Sequence, residues 1–267
     1  MLRDPFLKSL RDQARGLIVW VIGVATYVAL LMAVYPSIRD SAGGLQEYLD
    51  NLPDAFRKAF LGPGGDFTSP SGYINTELFS WLGPIVFIAF AISVANRALA
   101  GEEEDGTLSL LLAYPLSRRN LVLQRFAAMA LTIGVLGLAF WLSLLVATTA
   151  MAMDVGAGAL GQALLLFTLL GLAVGSVTLA VGAATGRKAV GIAAGAGVGV
   201  AMYLLNTLGQ INDTLEPYRV LSLFRYTGGT TPLGRGLEAV DVAVLVGTTL
   251  ALLAATLILF ERRDIRV

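Results

Sequence analysis

Six stretches of this sequence are long enough and apolar enough to cross a lipid bilayer as helices. A bilayer core about 30 Å thick needs about 20 residues, because each helical residue advances about 1.5 Å. The stretches are residues 16–35, 78–99, 126–153, 155–185, 189–208 and 241–260. Within a bilayer every backbone polar group needs an internal partner, which favours helices. The sequence therefore predicts an all-α polytopic membrane protein whose six spans form one membrane domain, residues 1–267.

Composition supports the same class and excludes several others. Hydrophobic residues make up 56% of the chain and charged residues only 14%, against about 25% in soluble domains. The chain has no cysteine and no histidine, which excludes disulfides, thiolate chemistry and histidine metal sites. Its net charge of zero gives no attraction to nucleic acid. The first apolar stretch is full length, so we expect a retained span and not a cleaved signal peptide.

Local patterns predict the segments that join the spans. Residues 1–15 place apolar side chains at helical spacing among charges, which predicts a short interfacial helix before the first span. Pro36 is expected to end that span, and Pro84 to kink the second. Residues 37–77 predict two amphipathic helices at the outer surface, which either cap the membrane domain or act as a substrate lid. Residues 210–240 are too rich in proline and glycine for one long helix.

Small residues are frequent in the fourth and fifth spans. Four pairs of glycines there have the spacing of four residues that lets helix backbones approach closely. They are Gly171 and Gly175, Gly182 and Gly186, Gly191 and Gly195, and Gly195 and Gly199. The pattern fits packing within the chain or a seam between two copies, and packing within the chain is the simpler interpretation.

The distribution of positive charge predicts the orientation in the membrane. With six spans both termini lie on one side, together with residues 101–125 and the turn at Arg187 and Lys188. That side carries 12 lysine and arginine residues and the opposite side six. Because positive residues accumulate on the cytoplasmic side, we expect both termini in the cytoplasm of a cell-membrane protein.

The segment of residues 101–125, GEEEDGTLSLLLAYPLSRRNLVLQR, lies between the second and third spans and holds seven of the 38 charged residues. Four acidic residues precede a short predicted helix, residues 107–113, which puts three leucines on one face. Gly106 can adopt positive φ, and Thr107 and Ser117 are candidate N-caps for two successive helices. The segment is either an ordinary charged loop at the membrane surface or a helix that meets another protein.

Some features are absent from the sequence. There is no glycine-rich phosphate-binding loop ending in Lys-Ser or Lys-Thr, so we expect no ATP hydrolysis by this chain. With the spans drawn as above, none has a charged residue near its middle, as ion-coupled transporters usually need. No catalytic pair or metal cluster is evident, so the chain is not expected to be an enzyme or to hold a cofactor or metal.

The central segment resembles the type-2 permeases of ATP-binding-cassette transporters, in which Glu-Glu-x-x-Gly-Thr-Leu precedes Leu-Leu-x-x-Pro-x-Ser-Arg. Residues 67–73, FTSPSGY, and 261–264, ERRD, are also similar to that family. At Gln124 and Arg125 the chain departs from relatives that often have a lysine after a small residue. The resemblance identifies neither the cargo nor a substrate-binding residue.

The resemblance implies a permease subunit, an exporter, that works as a dimer and is driven by two copies of a separate cytoplasmic ATPase, which binds the ATP and magnesium. The same resemblance implies that the ATPase docks on the central segment. The implied docking residues are Glu102, Glu103, Glu104, Gly106, Thr107, Leu108, Leu111, Leu112, Pro115, Ser117, Arg118 and Arg119. A secondary transporter or channel acting alone, and a membrane scaffold or sensor, remain as alternatives. Membrane lipids are expected to surround the spans, and no nucleic acid is expected to bind.

Overall fold

The structure, a computed structural model, describes residues 5–41, 69–106, 117–228 and 232–263. These residues form helices joined by short turns, with no strand among them. The helices are α1 (Pro5–Asp40), α2 (Pro70–Ile74), α3 (Leu82–Ala98), α4 (Ala100–Glu104), α5 (Arg118–Ala150), α6 (Ala157–Thr185), α7 (Lys188–Ile211), α8 (Pro232–Arg235) and α9 (Ala239–Arg262). A π-helical turn, Asn75–Phe79, follows α2, and two 3₁₀ turns, Glu216–Leu221 and Leu223–Thr227, follow α7.

Six helical segments have the length and hydropathy to span a membrane, which confirms the predicted fold class. They are α1, the segment Pro70–Ala98 that contains α2 and α3, and α5, α6, α7 and α9. The predicted interruption of residues 210–240 is present as the two 3₁₀ turns and α8. The two amphipathic helices predicted within residues 37–77 lie mostly outside the described residues.

Helix α6 is the centre of the bundle and packs against α3, α5, α7 and α9. The most apolar window of α6 is 67% buried within the chain, against 17% for those of α1 and α9. Helix α1 packs mainly on α5. The outer helices therefore leave most of their apolar surface for lipid or for another protein.

The glycines of α6 and α7 lie at close helix contacts inside the chain. A methyl group added at Gly171 would lie 3.1 Å from the Phe87 carbonyl oxygen of α3. One added at Gly191 of α7 would lie 3.1 Å from the Thr178 carbonyl oxygen of α6. Such close approach is what small residues permit. These two glycines thus serve packing within the chain, as the simpler interpretation predicts.

The first span differs from the prediction, because α1 is one continuous helix. Its N-terminal part does not form a separate interfacial helix. It packs on α5 instead, where the Phe6 N–H donates to Gln124 Oε1 at 3.1 Å. Helix α1 also continues past Pro36. The expected end of the helix at Pro36 is absent, although proline cannot donate the backbone hydrogen bond of a helical residue. Beside Pro36, the ring of Tyr35 packs on that of Tyr73, with ring centroids 5.2 Å apart.

The second membrane-crossing segment begins earlier than its apolar pattern indicates. Ser69 caps α2 by accepting a hydrogen bond from the Gly72 N–H at 3.2 Å. The helix is interrupted at Ser80 and Trp81, before the expected kink at Pro84. Proline clashes with the carbonyl four residues earlier, here that of Ser80, so it fits only in the first turn of α3. The earlier start brings Glu77 into the membrane-crossing segment.

Candidate functional site

The described residues on either side of 107–116 lie at one end of the bundle, which we call the terminal end because the first and last described residues, Pro5 and Arg263, are there. Contacts bring α4, the start of α5, the turn before α7 and the end of α9 together. Of the predicted docking residues, the described part of the chain includes Glu102, Glu103, Glu104, Gly106, Ser117, Arg118 and Arg119. Thr107, Leu108, Leu111, Leu112 and Pro115 lie outside the described residues, as does the predicted helix 107–113.

Local backbone geometry agrees with two predictions about the segment. Gly106 has φ of +70°, a conformation that glycine adopts without steric cost. Ser117 is the N-cap of α5, and its hydroxyl oxygen accepts a hydrogen bond from the Asn120 N–H at 3.2 Å. The chain thus leaves α4 and enters α5 at positions that the sequence identifies.

Glu102 is the most deeply placed acid of α4 and is 7% exposed. Its Oε1 accepts hydrogen bonds from Arg125 Nη2 at 2.5 Å and from Lys8 Nζ at 2.8 Å. Arg125 is only 2% exposed and projects from the second turn of α5. A buried charge is stable only with a close opposite charge, so this triad fixes α4 against α1 and α5.

Glu103 forms an ion pair with Arg263, which directly follows α9. The same guanidinium donates through Nη1 to the carbonyl oxygen of Ala183 in α6, at 2.9 Å. Charge-assisted hydrogen bonds of this kind are stronger than neutral ones. Arg263 therefore connects α4 with the last turns of α6 and the end of α9.

Glu104 and Asp105 bind the first residue of α7, Lys188. The Lys188 backbone N–H donates to Glu104 Oε1 at 2.7 Å, and its ammonium donates to Asp105 Oδ1, also at 2.7 Å. A carboxylate at a helix N-terminus meets unpaired N–H groups and the positive end of the helix dipole. These two acids therefore hold the start of α7 against α4.

The two arginines at the start of α5, Arg118 and Arg119, also have partners within the chain. Arg118 Nη1 donates to the Arg263 carbonyl oxygen at 2.7 Å and to that of Phe260 at 3.3 Å, which satisfies carbonyls at the end of α9. Arg119 forms an exposed ion pair with Glu261. We call the set formed by α4, its four basic partners and these two arginines the charged clamp.

The sequence pattern identified the acids of the clamp but not their partners. Lys8, Arg125, Lys188 and Arg263 had no assigned role, although all four contributed to the count of positive charge at this end. Arg125 is where the chain departs from many similar permeases. The available signal was a balance of charge: four acids in a row require bases nearby, and these bases lie at the ends of spans.

The clamp suits mechanical connection and not bond chemistry. In the described part of the chain, no group of three or more histidine, cysteine or acidic side chains is placed to hold a metal ion. A polar cavity of about 500 Å³, whose lining includes Asp12, Arg97 and Glu102, lies between α1, α3, α4 and α7. The ion pairs beside this cavity connect α4 with its neighbouring helices.

Comparison with known proteins assigns the family. A family model described as ABC-2 family transporter protein matches residues 6–265, nearly the whole chain. The chain is also 29% identical to a probable ABC transporter permease protein, NosY, of Pseudomonas aeruginosa, across 71% of this chain and 79% of that protein. Six membrane-crossing segments agree with a permease. The chain belongs to the ABC-2 family of transporter proteins and is a membrane permease subunit.

Proposed function

We propose that this permease is an exporter and that a separate ATPase drives it by docking on residues 101–125. The observation that carries the proposal is the charged clamp, whose residues come directly before and after residues 107–116 in the sequence. Residues 107–116 leave from α4, which is ion-paired to α1, α5, α7 and the residue after α9. A force applied at the segment therefore reaches several membrane-crossing helices at once.

The buried part of the clamp makes this connection stiff. Exposed ion pairs contribute little, but a buried pair costs about 3–5 kcal/mol when one partner is lost. Glu102 and Arg125 form such a pair and join α4 to α5 on either side of the docking segment. Moving α4 without α5 would separate Glu102 from Arg125 and incur that cost, so we expect the two helices to move together.

The pairing of the clamp residues supports a narrower set of docking residues than residues 101–125. Glu102, Glu103, Glu104, Asp105 and Arg118 have partners within the chain, so we assign them to the clamp. We assign the contact itself to residues 107–116, through the leucines predicted on one face of their helix. ATP and magnesium belong to the ATPase, and the purified permease alone is expected to hydrolyse no ATP.

We further propose that two permease copies and two ATPase copies form the transporter in the cell membrane, with the terminal end in the cytoplasm. The spans proposed to meet are α1, α3 and α7. Large apolar side chains of α1, including Ile18, Val19 and Ile22, are exposed in the single chain, in agreement with such an interface. Native mass spectrometry in mild detergent and in lipid tests the dimer, which a monomer in both media would contradict.

One observation favours the alternative of a secondary transporter acting alone. Glu77 lies within the segment Pro70–Ala98, so the described spans do contain an acid that a coupled ion could use. Transport by the permease alone, driven by an ion gradient and lost in Glu77→Gln, would support that alternative. The scaffold or sensor alternative has no such observation.

The docking proposal is tested by Leu111→Asp, because a charge buried in an apolar contact costs several kcal/mol. We expect at least a tenfold loss of ATPase binding in a pull-down, about 1.4 kcal/mol or more. Ser109→Asp is the matched control, since it adds the same charge off the predicted leucine face. Thermal unfolding of the permease checks that both variants fold. If Leu111→Asp binds like Ser109→Asp, the segment does not dock the ATPase through these leucines.

A further inference from the structure

Glu77 is a carboxylate placed beside the apolar part of α1. It lies in the π-helical turn Asn75–Phe79 and is half-buried. It is close enough to Tyr27 and Tyr73 to interact electrostatically with both side chains. Tyr35 is the last residue of the first apolar stretch, and Tyr27 lies eight residues before it. That separation is roughly 12 Å along a helix. Glu77 is thus at membrane depth and not at the surface.

Among the described residues, no counter-ion accompanies this carboxylate. Neither a hydrogen bond nor an ion pair within that part of the chain reaches the Glu77 side chain. Ionisable groups in membrane segments are costly and mark functional sites by default. Single π-helical turns likewise occur often at functional sites.

An apolar groove of about 290 Å³ lies between α1 and α3. Trp20, Gly23 and Tyr27 of α1 form one wall, Leu82 and Val86 of α3 the other, and Phe140 of α5 contributes to its lining. A side chain at Gly23 would meet nothing within 4 Å, so the groove is open there. Tyr27 both lines the groove and lies beside Glu77, which puts the acid near one end of an apolar cleft.

We propose that this groove binds a single-chain amphiphilic cation, with its apolar chain between α1 and α3 and its ammonium head on Glu77. The groove runs along α1 from Val19 to Tyr27, roughly 12 Å, the length of an alkyl chain of about ten carbons. The rings of Tyr27 and Tyr73 add cation–π attraction for an ammonium group. That such an amphiphile is a transport substrate rests on the proposed function, whereas its binding does not.

The charge pattern favours this ligand over a phospholipid. A zwitterionic or anionic lipid brings a phosphate, which lysine or arginine side chains usually bind. No basic side chain of the described residues pairs with Glu77, so within that part of the chain a phosphate at this place would lack its usual partner. An ammonium group without a phosphate fits the single negative charge.

Binding is measured by tryptophan quenching with 10-bromodecyltrimethylammonium, because Trp20 lines the groove and bromine quenches on contact. The full-length permease, without ATPase, is placed in phosphatidylcholine nanodiscs. The anionic probe 10-bromodecyl sulfate has the same chain and the opposite charge. We expect the cation to reach half-maximal quenching at a concentration about tenfold lower in wild type, and Glu77→Gln to remove that preference.

Glu238→Gln is the matched control, since Glu238 is an exposed acid at the same end that already pairs with Arg235 at 2.8 Å. It should keep the wild-type preference, as should Glu77→Asp in part. Equal quenching by both probes in wild type would overturn the proposal. So would loss of cation quenching when phosphatidylethanolamine replaces phosphatidylcholine, which would assign the site to a lipid amine.

A second copy of the chain is the other occupant that the test distinguishes. If Glu77→Gln converts a dimer to a monomer in native mass spectrometry, Glu77 binds the partner copy and the ligand proposal is wrong. Failure of ATPase docking would leave cation binding intact, because the assay contains no ATPase. Failure of cation binding would leave ATPase docking intact, so the two proposals fail separately.

Discussion

The acids around α4 and Glu77 lie in opposite halves of this permease and differ in whether they have a basic partner. At the terminal end, Glu102, Glu103 and Glu104 of α4 and Asp105 after it each have a basic partner from another part of the chain. At the opposite end, Glu77 lies at membrane depth and, within the described residues, has no such partner. Paired charges hold helices together, whereas an unpaired one is retained at a cost to stability. The comparison supports the structural role proposed for the first set and the binding role proposed for Glu77.

The largest expected difference between the ends is their accessibility from the two sides of the membrane. The chain has no cysteine, so single cysteines at Ser109 and Thr214 report on each end separately. The positive charge of the terminal end predicts that Thr214→Cys reacts with an impermeant thiol reagent on intact cells. Ser109→Cys should react only after the membrane is opened. The reverse pattern would show that the orientation is inverted.

Loss of Arg125 should produce the largest change in stability. Arg125→Met removes the Arg125–Glu102 pair at 2.5 Å, while Lys8 still reaches Glu102 at 2.8 Å. We expect a loss of about 3–5 kcal/mol in the free energy of unfolding, measured by chemical denaturation in mixed micelles. The double variant Arg125→Met and Glu102→Met should lose less than the single one. If Arg125→Met alone lowers the free energy of unfolding by less than about 1 kcal/mol, the Arg125–Glu102 pair does not stabilise the fold as a buried pair would.

One chemical change made at both ends gives the sharpest comparison. Glu102→Gln leaves Arg125 buried without a charged partner and should cost about 2–4 kcal/mol. Glu77→Gln removes a half-buried charge that has no described partner, so it should stabilise the fold by about 1 kcal/mol. Both values come from the same denaturation experiment. If the two variants destabilise the protein equally, Glu77 has a structural partner and does not differ from Glu102 in this respect.

The sequence predicted the fold class because long apolar runs have one solution in a bilayer, the helix. It missed the position of Glu77 because the second span was drawn from hydropathy, starting at residue 78. Hydropathy does not detect that Ser69 caps a helix before the apolar run and that the π-helical turn carries this helix onward. The continuous α1 was missed for a related reason, since its first turns depend on contacts with α5 that are distant in sequence.

The charged clamp was only half predictable. Four adjacent acids and a nearby arginine pair are visible in the sequence, and they suggested a rim around a docking helix. Their partners come from residues 8, 125, 188 and 263, and nothing local indicates which base reaches which acid. The helix order along the bundle decides the pairing. The resemblance to known permeases identified the family but did not distinguish an internal pair from a docking contact.

The smallest expected effect belongs to the exposed pair of Arg119 and Glu261. Side-chain exposures of 70% and 36% place this pair in water, where its attraction is screened and its ordering costs entropy. Arg119→Ala should therefore change the free energy of unfolding by less than about 1 kcal/mol. The difference should shrink at 1 M salt, where the Debye length is about 3 Å.

The neighbouring Arg118→Ala is the matched comparison, because Arg118 is partly buried and binds carbonyls at the end of α9. It should cost about 1–3 kcal/mol with little dependence on salt, since the buried carbonyls lose their donor. If Arg119→Ala lowers the free energy of unfolding as much as Arg118→Ala at both salt concentrations, exposure does not decide which members of the clamp stabilise the fold.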